Sequence, residues 1–307
     1  MLYLCTRKGL KNYEIMKSLY PILLSFVIVS CTKTNASSSK ANITDSISDV
    51  NEISVPAAAP THVSEISLPV GYSRVSIEDK TSFAYYLRHL PLKPLGTPVY
   101  TYDGHVSWTS DYAYAVIDSI DTGKDDLQQC ADAVIRLRAE WLYAQKHYDD
   151  IAFHFTNGWL CDYKHWAEGN RVSVQGNRTS WYQAASRDYS YPTFRKYLNM
   201  VFNYAGTLSL SRELKFTNIN DLQIGDVFIK GGSPGHAIIV IDVAENPETH
   251  DKAFMVAESY MPAQDIHILK NSIYGDHPWF YLRDFIDAQS CSFPSYFYDN
   301  LNYLKRF

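Results

Sequence analysis

The stretch Gly235-His236-Ala237-Ile238-Ile239-Val240-Ile241-Asp242-Val243 constrains this chain more than any other segment. A short, almost wholly apolar run bounded by turn residues reads as a buried strand. It follows a second strand, Val227-Phe228-Ile229, which opens at the turn Gly225-Asp226 and closes at Gly231-Gly232-Ser233-Pro234. A turn around Asn246-Pro247-Glu248 then leads to a third strand, Lys252 to Glu258, and Trp279-Phe280-Tyr281-Leu282 suits one more. His236 stands at the mouth of its strand directly after a Gly/Pro turn. Gly235 leaves access to the ring, so the position suits a base.

The preceding half is mostly helical. Asp125 or Asp126 can cap a helix over Leu127–Leu142, whose stripe takes in Leu127, Val134 and Trp141 together with Cys130 and Ala131. On that spacing Cys130 faces inward within the first turn or two. Val70–Val75 and Pro98–Tyr102 read as strands, the latter running into Asp103-Gly104. Ser82–Arg88 reads as a short helix and Ile151–Phe155 as a strand. Residues 172–192 are polar and read as a loop; Pro192–Tyr204 and Leu208–Leu214 have helical periodicity. Close antiparallel strands after a helical half predict an α+β fold.

The N-terminus bears on compartment. Pro21–Val29 is apolar, too short to span a bilayer, and preceded by Arg7, Lys8, Lys11 and Lys17. It ends in Ser30-Cys31. The pattern resembles a bacterial lipobox, which implies a signal peptide over residues 1–30, lipidation of Cys31 and a membrane partner through that lipid. Residues 31–60 are rich in Ser, Asn, Ala and Thr and read as a tether. Residues 61–307 fit one domain. The expected location is the bacterial cell envelope, facing the periplasm or the cell surface. A net charge of −5 offers no basic field for nucleic acid.

Five cysteines occur. With Cys5 removed and Cys31 lipidated, Cys130, Cys161 and Cys291 remain, an odd number that leaves at least one thiol free in an oxidising compartment. Pairing of Cys161 with Cys291 stays open. No CxxC or His-x-x-x-His spacing suggests a metal, and no cofactor is expected. Cys130 upstream and His236 downstream supply a nucleophile and a base. Glu258, across the hairpin centred near Pro247, would share a face with His236 and orient its ring.

Gly225-Asp226, Gly235-His236-Ala237 and Ala257-Glu258-Ser259 resemble the C-terminal half of NlpC/P60 and CHAP cysteine peptidases and amidases. Leu90-Pro91-Leu92-Lys93-Pro94, Asp126-Leu127-Gln128-Gln129-Cys130-Ala131-Asp132, Tyr204-Ala205-Gly206-Thr207, Gly235-His236-Ala237 and Ser259-Tyr260-Met261-Pro262-Ala263-Gln264-Asp265 carry a closer similarity, over about Val70–Leu282, to the DUF4846 family. The usual Asp-Cys-Ser/Ala-Gly of NlpC/P60 is replaced by Gln129-Cys130-Ala131-Asp132.

The first resemblance implies a papain-like core in which Cys130 attacks an acyl carbon, His236 acts as base and then acid, and Glu258 orients it. The Cys130 N–H with Gln128 or Gln129 would hold the oxyanion; Gln264 and His267 are reserves for the orienting role. The implied activity is amidase- or peptidase-like hydrolysis, with cell-wall peptide as substrate. The alternative is a non-catalytic lipoprotein that binds peptidoglycan peptide or glycan in an aromatic cleft near Trp159, Tyr163 and Trp166.

Overall fold

The structure, a computed structural model, describes residues 59–307. The signal peptide, Cys31 and nearly all of the tether lie outside the described residues. Six α-helices are present among these residues: α1 Phe83–Arg88, α2 Cys130–Ala144, α3 Tyr163–Ala167, α4 Tyr191–Tyr204, α5 Thr207–Glu213 and α6 Leu282–Ala288. The strands before the hairpin region are β1 Ser73–Arg74, β2 Ala113–Val116, β3 Ala152–His154, β4 Leu160–Asp162, β5 Asn170–Gln175, β6 Arg178–Gln183 and β7 Lys215–Phe216. Then come β8 Val227–Lys230, β9 His236–Glu245, β10 Lys252–Glu258, β11 His267–Leu269, β12 Phe280–Tyr281, β13 Cys291–Ser292, β14 Phe297–Tyr298 and β15 Leu304–Arg306. None of the helices among the described residues is long and apolar enough to cross a membrane.

One antiparallel sheet organises the fold, in the order β2-β11-β10-β9-β8-β15-β7, with β1 added to β9 and β12 to β10. The fold is thus α+β, as the strand spacing predicts. Both faces of the central strands are covered, which is why β9 carries so little polarity. Ala237, Ile239 and Ile241 pack with α1, α2, α4 and α5 in one core cluster, whereas Ile238, Val240 and Val243 pack with α6, Phe293 and Tyr298 in another.

The register of β9 and β10 slips once. Met255 pairs with Asp242, but Val256 pairs with Val240, so Ile241 is an extra residue. A one-residue slip moves every later side chain to the other face. Continuing the first register would set Glu258 against the face opposite His236; the slipped register puts the two on one face. Asp242, fully buried at the bulge, accepts from Arg74 Nε at 2.7 Å and Arg88 Nε at 2.6 Å. Arg88 also reaches the Val243 carbonyl at 3.2 Å.

Several sequence expectations need correction. Helix α2 starts at Cys130, not at Leu127. Residues 172–192 are not a plain loop: β5 and β6 form a hairpin around Gly176-Asn177, with Gly176 at φ +62°. Leu282 begins α6 rather than ending a strand, and Pro98–Tyr102 makes only isolated bridges at Tyr100 and Thr101. Cys161 and Cys291 are free thiols that belong to the two different cores, and no bridge joins them.

Removing one partner from a buried ion pair leaves an uncompensated charge. The D242A variant is therefore expected to lose about 3 kcal/mol of unfolding free energy, read from urea denaturation. A loss below about 1 kcal/mol would mean that the arginines do not hold the bulge.

Candidate functional site

The chain reaches Cys130 through an extended residue. Gln129 has φ −93° and ψ −161°, and the Gln129 N–H donates backwards to the Leu127 carbonyl at 2.8 Å and forwards to Asp132 Oδ2 at 3.1 Å. Asp126, a cap in the sequence reading, is occupied elsewhere: its Oδ1 accepts from the Ala263 N–H at 2.7 Å and Gln129 Nε2 at 3.1 Å. Cys130 is consequently the first residue of α2. Its N–H has no intrahelical acceptor, and its sulfur sits at the positive end of the helix.

His236 opens β9 and is 3% exposed. Its Nε2 lies 2.6 Å from Glu258 Oε2, and Cys130 is the other side chain that acts on the ring. With Nε2 on the carboxylate, Nδ1 is the nitrogen left for sulfur. Tyr296 stacks on the ring at 5.1 Å and Tyr260 packs tilted at 5.0 Å. Burial disfavours the His236 cation, but the bonds to Cys130 and Glu258 outweigh it and raise its affinity for the proton. Burial likewise works against an ionised Glu258, yet His236 and His267 hold its carboxyl below the usual range. Ser295 Oγ donates to the same Oε2 at 2.6 Å.

Cys130 faces a cleft of ≈ 510 Å³ whose walls include Gln129, Asp132, Thr207, Gly235, Tyr260 and Tyr296. Gly235 is required by the backbone rather than by ring access. A Cβ there would lie 2.4 Å from the Gly232 carbonyl oxygen and 2.6 Å from Thr207 Oγ1. Asp132 is 6% exposed; its Oδ1 has no hydrogen-bond partner, and burial pushes its carboxyl up to about 8 despite the opposing Gln129 N–H. Among the described residues no group of three His, Cys, Asp or Glu side chains is placed to hold a metal ion.

The structure brings together Cys130, His236, Glu258 and Gln129. Gln128 is buried beside them but turned away: its Oε1 accepts from Arg136 Nη1 at 2.8 Å. Gln264 is also buried, its amide bound by Ser107 at 2.6 Å and Thr109 at 2.8 Å. Tyr163 and Trp166 lie in the helical-side core, and Trp159 packs on Phe155 and Trp181. None of these five lines the cleft with Cys130. Sequence reasoning missed Asp132, Tyr260, Ser295 and Tyr296. For Asp132 the signal was its place three residues after Gln129, where an acidic side chain can cap the helix start.

The family model described as "Domain of unknown function (4846)" matches residues 63–306. No curated protein and no solved structure matches the chain.

Asp132 gives a pH prediction with a definite sign. Its carboxyl binds a proton up to about 8 in the fold, but only to about 4 when unfolded. Between those values the folded state holds more protons, so this group makes stability fall as pH rises. D132N is neutral throughout and keeps an oxygen for the Gln129 N–H. Its melting temperature relative to wild type is expected to climb from pH 5 to pH 8. An offset that stays constant across that range would show that Asp132 is ionised in the fold.

Proposed function

Since the chain belongs to the DUF4846 family, whose description names no activity, we propose from the site itself that it is a thiol hydrolase of amide bonds. The observation that carries this reading is a cysteine at a helix start that acts on a histidine whose Nε2 meets a buried carboxylate 2.6 Å away. That is the nucleophile–base–orienting-group arrangement that acyl transfer requires. A helix start carrying Cys130, packed on an antiparallel sheet that carries His236, is a papain-like layout.

In this mechanism the Cys130 thiolate attacks the amide carbon while His236 holds the proton. The carbonyl oxygen becomes an oxyanion beside the Cys130 N–H, with the second Gln129 Nε2 hydrogen as a further donor. His236 then gives its proton to the departing amine as the C–N bond breaks. Water, deprotonated by His236, cleaves the thioester and returns the thiolate. Glu258 keeps Nε2 protonated, so Nδ1 faces sulfur in both half-reactions.

The lipobox ending in Cys31 supports a lipid-anchored protein of the bacterial envelope, and that location supports cell-wall peptide as the substrate class.

Iodoacetamide labelling at pH 6 tests the chemistry. Cys130 in the wild type is expected to react on the order of 10- to 100-fold faster than an unperturbed thiol, and the H236A variant is expected to lose that advantage. Cys130 labelling at the rate of an ordinary thiol would sink the proposal. Release of amines from purified cell-wall peptides by wild type but not C130A tests the substrate class.

A further inference from the structure

Glu258 has a second histidine. His267 on β11 is its direct cross-strand partner, and both are buried. Two polar atoms here lack hydrogen-bond partners, Glu258 Oε1 and His267 Nε2, and they face each other at 3.6 Å. The other ring nitrogen, Nδ1, lies 3.1 Å from the Asp265 carbonyl oxygen. A carbonyl can only accept, so Nδ1 carries a proton. A neutral ring would then aim the Nε2 lone pair at a carboxylate oxygen in a site without water access. A single extra proton between the two atoms removes that conflict. It belongs on the imidazole, which is intrinsically the stronger base of the two by about two pKa units.

We propose that His267 is a positioning residue for the His236 base: as an imidazolium it binds Oε1, keeps Glu258 ionised, and fixes the rotation that presents Oε2 to His236. The inference rests on the thiol reading above and deepens it. With Cys130 as thiolate, the chain Cys130, His236, Glu258, His267 alternates in sign and sums to zero, which is how a buried cluster avoids an uncompensated charge. The titratable neighbours fit. Glu258 on β10 faces His267, and the Asp265 carboxylate is turned to Lys93 at 3.1 Å. The Tyr298 phenol, acted on by Glu258 and Cys130, stays protonated because burial raises it far above the usual range. On β2 the residue opposite His267 is Val116.

Two measurements on the full-length protein decide the matter. Nitrogen-15 histidine spectra at pH 7 should show protons on both ring nitrogens of His267. A neutral Nδ1–H ring overturns the proposal, whether the missing proton sits on Glu258 or nowhere. In the pH profile of Cys130 alkylation, H267L should move the acid limb up by about one unit, because Glu258 loses a cation and ionises less readily. H267Q, which keeps an N–H for Oε1, should move it by less than half as much. Fast wild-type labelling with an unmoved H267L limb overturns the positioning role alone. Wild-type labelling without a His236-dependent acid limb overturns the thiol reading and the positioning role with it. Should H267L fail to fold, the H267Q limb and the wild-type spectra still decide.

Discussion

The extra residue at Ile241 governs the site. Glu258 and His236 lie on neighbouring strands, and neighbouring strands alternate faces with a period of two. The bulge shifts that phase by one between Met255 and Val256, so the acid meets the base instead of pointing into the helical-side core. The offset along the strands is then spanned by two long side chains. What holds the bulge is Asp242 between Arg74 and Arg88, farther along the same strand from His236. Those arginines come from β1 and α1, at the start of the domain. The site geometry is therefore tied to an ion cluster that has no chemical role in it.

Two buried carboxylates show how the fold sets charge by counting donors. Glu258 has His236 and Ser295 on Oε2 and His267 3.6 Å from Oε1, and the two histidines outweigh its burial. Asp132 has one backbone N–H on one oxygen and nothing on the other, and burial wins. Donor number, not depth, separates an ionised acid from a neutral one in these positions. In the same way burial pushes the Cys291 thiol up to about 12, and burial together with the Asp162 charge pushes the Cys161 thiol higher still. Neither has the histidine that distinguishes Cys130.

The hairpin region was readable because its signals are local. Gly225-Asp226, Gly235-His236 and the apolar runs after them announce β8 to β10, and the observed strands agree to within a residue or two. The hairpin of β5 and β6 was equally local, yet its polar faces hid the alternation of Val172, Val174 and Trp181 around Gly176-Asn177. The bulge was not legible, since nothing in Val240-Ile241-Asp242 distinguishes an extra residue from a paired one until Arg74 and Arg88 are in place. The start of α2 was misread for a related reason. Asp126 looks like a cap until the Ala263 N–H, from a distant loop, takes its carboxylate. Ser295 and Tyr296 had no signal at all: Ser295 reaches Glu258 and Tyr296 reaches His236 because β15 returns to pair between β7 and β8 and carries the preceding segment over the sheet.

That displaced helix start changes what Cys130 can do. Had α2 begun at Leu127, the Cys130 N–H would have donated to the Asp126 carbonyl, as any interior helix N–H does to the residue four before it. The sulfur would also have stood a turn away from the positive end of the helix, where its influence fades. Starting at Cys130 leaves the N–H free at the cleft and sets the sulfur at the end of the dipole in one step. The sequence device behind it is a division of labour between two aspartates. Asp126 leaves the helix to bind the Ala263 loop, and Asp132 caps from inside. Asp132 completes the cap with one oxygen and stays neutral on the other, so the first turn of α2 carries no fixed negative charge that would oppose a thiolate at Cys130.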